Sequence, residues 1–256
     1  MRVLIVNDDG IHSVGLHALA KRVHRDGNDV FVVAPREEQS GVSQAITFLE
    51  PIFPQPATIK LSADEVIPGC SVDGTPVDCL KLGVHKLCPW KPDLVLSGIN
   101  GGLNAGINVG HSGTVGGALA AATFGIPSVA MSLEYSLTNS DFAKAADILW
   151  PLVQNLIQAK LPAKSTININ VPLSALSGNW EVEFVPVETN PMAYHFQQGE
   201  DPRGRQWFWS TNLTDPEPSS HPTDTQMLLE GKITVSVISY DLNHYKGLDS
   251  LASQVR

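Results

Sequence analysis

Asp8 and Asp9 stand side by side in the stretch Asn7-Asp8-Asp9-Gly10, directly after the apolar run VLIV at 3–6. Both are charged at neutral pH, and something positive between them removes their repulsion. Within a strand, neighbouring side chains point to opposite faces, so the pair can aim at one point only where the strand has ended. Gly10 permits that turn. Asn-Asp-Asp-Gly is also good turn chemistry, so this stretch alone leaves open a bound cation or a solvated turn. Ser40 in EEQSG and Asn100 in SGIN add neutral oxygen ligands. Two carboxylates with such oxygens, and no His or Cys pair at ligand spacing, suit a hard cation such as Mg²⁺ or Mn²⁺ rather than zinc. Taken singly, Ser40 and Asn100 equally fit loop residues that satisfy backbone groups. Ser112, Gly113 and Thr114 stand where a Gly-rich loop becomes a helix. Free N–H groups and the helix dipole make that end an anion site; an ordinary N-cap is the plainer alternative. No Lys-Ser/Thr pair follows, so it is not a P-loop, and GGLNAG at 101–106 is not in the place of a dinucleotide fingerprint. His12 lies near the carboxylates and His111 near Ser112, so either is within reach of a substrate, although a lone His is more often structural or exposed.

The elements that carry these residues read as alternating strands and helices. VLIV at 3–6 and DVFVVAP at 29–35 are apolar runs, as in strands covered on both faces. Between them Leu16, Leu19, Ala20 and Val23 fall at helical spacing, with Gly27 as the stop. The polar stretch 35–47 reads as a loop at a strand's carboxyl end. Residues 48–72 read as short strands and turns broken by prolines. A helix begins after Thr75, with Pro76 at its first position. Further strands are expected at 92–100, 126–133 and 165–172, and helices after residue 113 and over 140–159. Residues 178–221 show little periodicity. TDTQMLLEG at 223–231 reads as a short helix with Thr223 as N-cap, and KITVSVISYD at 232–241 as an alternating strand. This pattern predicts an α/β fold: a Rossmann-like, doubly wound, mostly parallel sheet with an irregular C-terminal extension. The expected division is a core over 1–175 and an extension over 176–256, with hairpin, short helix and strand, packing on the core or on a partner subunit and used in oligomerisation. In such sheets the polar loops after the strands converge beyond the carboxyl ends, so the loops holding Asp8, Ser40 and Asn100 are expected to meet.

The chain has 256 residues, 43% hydrophobic content and a formal net charge of -9. That length supports a large core. No basic run is present, which argues against a nucleic-acid duplex or an anionic membrane as partner. No stretch approaches the roughly 20 apolar residues of a membrane span, and the first residues are too short for a signal-peptide core. Cys70, Cys79 and Cys88 form no CxxC pair and read as reduced, buried thiols of a cytoplasmic protein.

Taken together the motifs resemble those of the survival protein E (SurE) family. NDDG with Gly15, the SG of EEQSG, DGTPVDC at 73–79, PDLVLSGIN at 92–100 and SGTV at 112–115 occur in the family's order and at similar spacing. NINVP at 168–172, DPRG at 201–204, TD at 223–224 and the strand near 232–241 are similar to its tail. The resemblance implies a metal-dependent phosphatase acting on nucleoside monophosphates, a 5′/3′-nucleotidase, that forms homodimers or homotetramers through C-terminal exchange. It places one divalent cation per subunit on Asp8, Asp9, Ser40 and Asn100, with Asp8 and Asp9 catalytic, and the phosphate on Ser112, Gly113 and Thr114. Asn7, Gly41, Asn104 and His111, in or beside the same loops, are candidate substrate contacts. The chain departs from the family pattern at Ile107-Asn108-Val109-Gly110-His111, where many members carry acidic residues and a Tyr. Glu37 and Glu38 likewise add negative charge to the loop at 35–41, and Pro222 replaces a Gly before TD. The altered stretch 107–111 motivates one rival, a nucleotide-binding regulatory module without turnover; a Rossmann-type transferase using a nucleotide-activated donor is a second.

Overall fold

Four apolar residues in a row leave a strand no face for water, and β1 (Arg2–Val6) lies at the centre of the sheet with residues 3–6 fully buried. A computed structural model describes residues 1–136, 138–159, 161–190, 195–211 and 219–255. After β1 come α1 (Val14–Arg25), β2 (Asp29–Pro35), β3 (Pro54–Lys60) and β4 (Val66–Val72). The chain continues through α2 (Pro76–Leu82), β5 (Leu94–Gly101), α3 (Gly113–Thr123), β6 (Ser128–Leu133), α4 (Asn139–Leu156) and β7 (Ser165–Val171). It then forms β8 (Val182–Phe184), a hairpin of β9 (His195–Glu200) and β10 (Gln206–Thr211), α5 (Asp224–Leu229), β11 (Ile233–Ser239) and α6 (Tyr245–Val255).

The main sheet has the order β3-β4-β2-β1-β5-β6-β7-β11-β8. Strands β4, β2, β1, β5, β6 and β7 are all parallel. Outward from β1 they run in chain order on each side, which is the doubly wound arrangement predicted. β3 closes one edge antiparallel to β4, and β11 pairs antiparallel with β7. Two prolines in β3 are tolerated because an edge strand has one unpaired side.

The period of two sorts β1 between two layers. Val3 and Ile5 pack with Leu16, Leu19 and Val23 of α1 and with Leu149 and Trp150 of α4. Leu4 and Val6 pack with Leu80 of α2 and Ala120 and Ala121 of α3. Each such Leu or Ile contributes roughly 1.5–3 kcal/mol by leaving water. The α1 periodicity is as expected, with Ser13 as N-cap and Gly27 at φ +79° just beyond the end.

Some sequence expectations need correction. The stretch 178–221 contains β8 and the β9–β10 hairpin; its residues 191–194 and 212–218 lie outside the described residues. The hairpin is the one expected in the extension; periodicity does not place its strands, because its exposed aromatic residues, with Trp207, Phe208 and Trp209 in succession, fall on both faces. The helix expected to run to 159 ends at Leu156. Cys79 is buried, but Cys70 and Cys88 are only half-buried; all three are unpaired. Among the described residues no helix is long and apolar enough to cross a membrane.

Candidate active site

β1 and β5 are hydrogen-bonded neighbours, yet their following connections leave to opposite sides of the sheet. At such a switch point the loops diverge and leave a crevice beyond the carboxyl ends. Gly10, at φ +95°, turns the chain after β1. Two backbone bonds then stitch this turn to the loop after β2: Ile11 N–H to Pro35 O at 2.8 Å and Gln39 N–H to Asp8 O at 2.7 Å. The crevice is a pocket of 260 Å³. The first loop contributes Asp8 and Asp9, the second Glu38, Ser40 and Gly41, and the third Asn100, Gly101, Leu103, Asn104, Asn108, His111 and Ser112. Among the described residues three carboxylates face this space and no Lys or Arg does. Arg36, the nearest cation in sequence, pairs instead with Asp73 at 2.8 Å.

Asp8 is buried against the start of α3. Its Oδ2 accepts the Thr114 N–H at 3.0 Å and its Oδ1 accepts the Thr114 hydroxyl at 2.5 Å. A carboxylate at a helix N-terminus is favoured by the dipole and the free amides. The approach is close enough to require Gly113: a Cβ there would lie 2.9 Å from Asp8 Cβ and Oδ2. Burial raises the Asp8 pKa, and the Thr114 bonds oppose that rise. Among the described residues Asp9 accepts only the Gly101 N–H, at 3.3 Å on Oδ2. Burial and then the charge of Asp8 push its carboxyl from the ordinary 3.8 up to about 7. Ser40 donates to Glu38 Oε1 at 2.5 Å. Asn100 donates through Nδ2 to Gly102 O at 2.7 Å, and its Oδ1 accepts no hydrogen bond among the described residues.

The structure therefore gathers Asp8, Asp9, Ser40, Gly41, Asn100, Asn104, His111 and Ser112 around one space. Four expected residues, Asn7, His12, Gly113 and Thr114, do not line it. Asn7 is fully buried and does not line the pocket, because its Nδ2 holds the turn through Gly10 O at 3.1 Å and Ser13 Oγ at 2.7 Å. Thr114 is also fully buried, with both its donors on Asp8, so it supports a carboxylate where a phosphate was expected. The Ser112 hydroxyl caps α3 through Val115 N–H at 3.1 Å. This leaves Gly113 N–H as the first-turn amide without an acceptor among the described residues.

Glu38, Gly101, Leu103 and Asn108 also line the pocket without having been candidate site residues; Glu38 and Asn108 stood out only as departures from the family pattern. Glu38 carried a signal, since a second acidic residue two positions before Ser40 alters the charge of any site built there. Leu103 carried none, because only the path of the loop brings it in.

A doubly wound α/β protein with an acidic, oxygen-lined pocket at its switch point is the class that fold and site define. The family model for survival protein SurE matches residues 3–193. The chain belongs to the SurE family. It is 38% identical over 257 residues to the 5′-nucleotidase SurE of Rhodopirellula baltica, covering 100% of this chain and 98% of that protein. Identity to the 5′-nucleotidase SurE of Carboxydothermus hydrogenoformans is 34% over 258 residues, with 100% and 97% covered. The crystal structure of the SurE protein from Aquifex aeolicus superposes with a TM-score of 0.81 at 31% identity, covering 100% of both chains.

Proposed function

We propose that this chain is a divalent-cation-dependent 5′-nucleotidase, hydrolysing nucleoside monophosphates to nucleoside and phosphate. The observation that carries this reading is a switch-point pocket faced by Asp8, Asp9 and Glu38 with no Lys or Arg among its lining residues. A substrate dianion enters such a pocket only if a cation accompanies it. The donor set fits a hard cation: Asp9 Oδ1 and Asn100 Oδ1 accept no hydrogen bond among the described residues, and each Asp8 oxygen keeps a second lone pair beside Thr114. Asp8, Asp9, Ser40 and Asn100 would hold it, one per subunit, as Mg²⁺ or Mn²⁺. A cation there supplies Lewis-acid polarisation of the phosphoryl group and a more acidic water.

The residues of the chain supply the rest. Thr114 fixes Asp8 so that its carboxylate cannot rotate. Asp9, with one weak internal bond, is the carboxylate free to orient the attacking water. The Gly113 amide at the start of α3 receives a non-bridging phosphoryl oxygen, where the helix dipole favours growing negative charge. Asn104 and His111 contact the remainder of the nucleotide. The relatives named 5′-nucleotidase support this substrate class. The free thiols fit a cytoplasmic setting. The exposed apolar side chains of α6 and of the β9–β10 hairpin support a homodimer or homotetramer.

The test is phosphate release from a panel of nucleoside monophosphates with Mg²⁺, with Mn²⁺ and with EDTA. Asp9→Asn is the cleaner variant, because Asp8→Asn also sets an amide N–H against the Thr114 donors. Release that requires the cation and falls at least about 100-fold in Asp9→Asn is expected, since a cation contributes several kcal/mol to such transition states. Folded wild-type protein that binds nucleotide yet releases no phosphate with any cation would replace this reading with the binding-module alternative.

A further inference from the structure

The pocket wall contributed by residues 102–112 is glycine-rich and poor in buried apolar side chains, so its place must be set by polar bonds. Those bonds come from far along the chain. Asn104 N–H donates to Asn170 Oδ1 at 2.8 Å. Asn104 O accepts from Asn168 Nδ2 at 2.9 Å and Asn170 Nδ2 at 3.0 Å, and its Nδ2 donates to Ser132 Oγ at 2.9 Å. Two residues further on, Gly106 N–H donates to Asp224 Oδ2 at 3.0 Å. The other oxygen of Asp224 accepts Glu188 N–H and Thr225 N–H, each at 2.8 Å. Asp224 is 0% exposed, and among the described residues it has no ion-pair partner. The fit is tight on the glycine side as well: Gly106 sits at φ +57°, and a Cβ there would meet Thr225 Cγ2 at 3.0 Å.

A buried carboxylate whose only partners are backbone amides adds little stability compared with an apolar residue of similar size. It does impose a geometry, since the N–H groups of Gly106 and Glu188, from two distant segments, must converge on its two oxygens beside that of its own neighbour Thr225. We propose that Asp224 is a positioning residue for the active site: from the C-terminal part of the chain it fixes Gly106, and thereby the wall carrying Asn104, Asn108 and His111. Asn168 and Asn170 hold the same wall from beneath. From Asn104 onward the wall offers no group to the proposed cation cradle, whose Asn100 is held by the Gly102 carbonyl and not by Asp224. Its displacement therefore weakens nucleotide binding and spares the cation. The nucleotide part of this statement rests on the nucleotidase reading; the fastening of the wall does not.

Asp224→Asn keeps the side chain's shape but turns one acceptor into a donor facing a backbone N–H. Asn170→Ser removes both bonds to Asn104 from the opposite side and carries the test if Asp224→Asn fails to fold. Each purified variant is compared with wild type by amide hydrogen exchange, by Mn²⁺ affinity and by phosphate-release kinetics. The expected result is faster exchange confined to the 102–112 region, a KM raised about tenfold for nucleoside monophosphate, and an unchanged Mn²⁺ affinity. A merely structural role would lower the folded fraction and leave the KM of the folded molecules where it was. Native exchange at 102–112 in both variants, or faster exchange with an unchanged KM, overturns the proposal. If wild type itself releases no phosphate, the nucleotidase reading fails, and the exchange measurement still decides the fastening.

Discussion

Asp8 and Asp9 are adjacent in sequence and opposite in circumstance. Thr114 takes both oxygens of Asp8, whereas Asp9 has a single bond at 3.3 Å and a carboxyl pushed up to about 7. Between pH near 4 and 7 the folded, cation-free chain therefore holds a proton on Asp9 that the unfolded chain has lost. Stability falls as pH rises through that window. Asp9→Asn removes the cost of the buried charge and is expected to stabilise the cation-free protein at pH 8 by about 1–2 kcal/mol, roughly 2–8 °C in Tm. A Tm scan with EDTA checks this. With Mn²⁺ at about 100 times its Kd, wild type gains about 2.7 kcal/mol and the variant gains far less. The convergence of Asp8 and Asp9 was legible from Gly10 directly behind them. The partner of Thr114 was not, because the pattern SGT marks a helix start and says nothing of which strand end that start will face.

Elements position these residues through close backbone approach. α1 crosses β5 at Gly15, where a Cβ would lie 2.0 Å from Ile99 O and 3.0 Å from Phe142 Cδ1. Gly15→Ala must push α1 away from the strand that carries Asn100, at a cost of about 3 kcal/mol. A urea midpoint lowered to match, with the far-UV spectrum unchanged, is the expected observation. α2 shows the other device. Thr75 and Asp78 form a reciprocal cap, and Asp78 also accepts Thr47 N–H at 3.0 Å, tying the 42–47 loop to the helix start. Elements with a buried face were legible: β1 and β2 from unbroken apolar runs, β5 as a strand ending in a polar turn, α1 from its spacing. β3, with Pro54 and Pro56, and the exposed β9–β10 hairpin were legible only coarsely, as short strands within 48–72 and a hairpin within 176–256; their bounds were not, because edge and protruding strands owe their conformation to a neighbour rather than to their own pattern.

At the scale of the molecule, α6 is a helix with no buried residue that exposes Tyr245, Leu248, Leu251 and Val255. The hairpin exposes Phe196, Trp207, Phe208 and Trp209. These exposed apolar side chains are what supports the proposed oligomer. Light scattering is expected to give the mass of a dimer or tetramer, and the double substitution Leu248→Glu and Leu251→Glu to lower that mass. A wild-type monomer at micromolar concentration would refute it. The doubly wound order of the parallel strands was legible from the alternation of strands and helices. The bond between Gly106 and Asp224 was not: it joins positions that no local pattern relates.

That bond has a consequence for the chain during its synthesis. The residues of the candidate cation cradle are all made by position 112, but the carboxylate that fastens the facing wall is made only at position 224. At roughly 5–20 residues per second the interval is about 6–22 s. Through that time every nascent chain carries Asp8, Asp9, Ser40 and Asn100 without the clamp on the loop opposite. On the proposed reading, a ribosome-bound chain thus holds the residues of the cation cradle well before the residue that fastens the nucleotide-facing wall, and that sequence of events is written into the order of its residues.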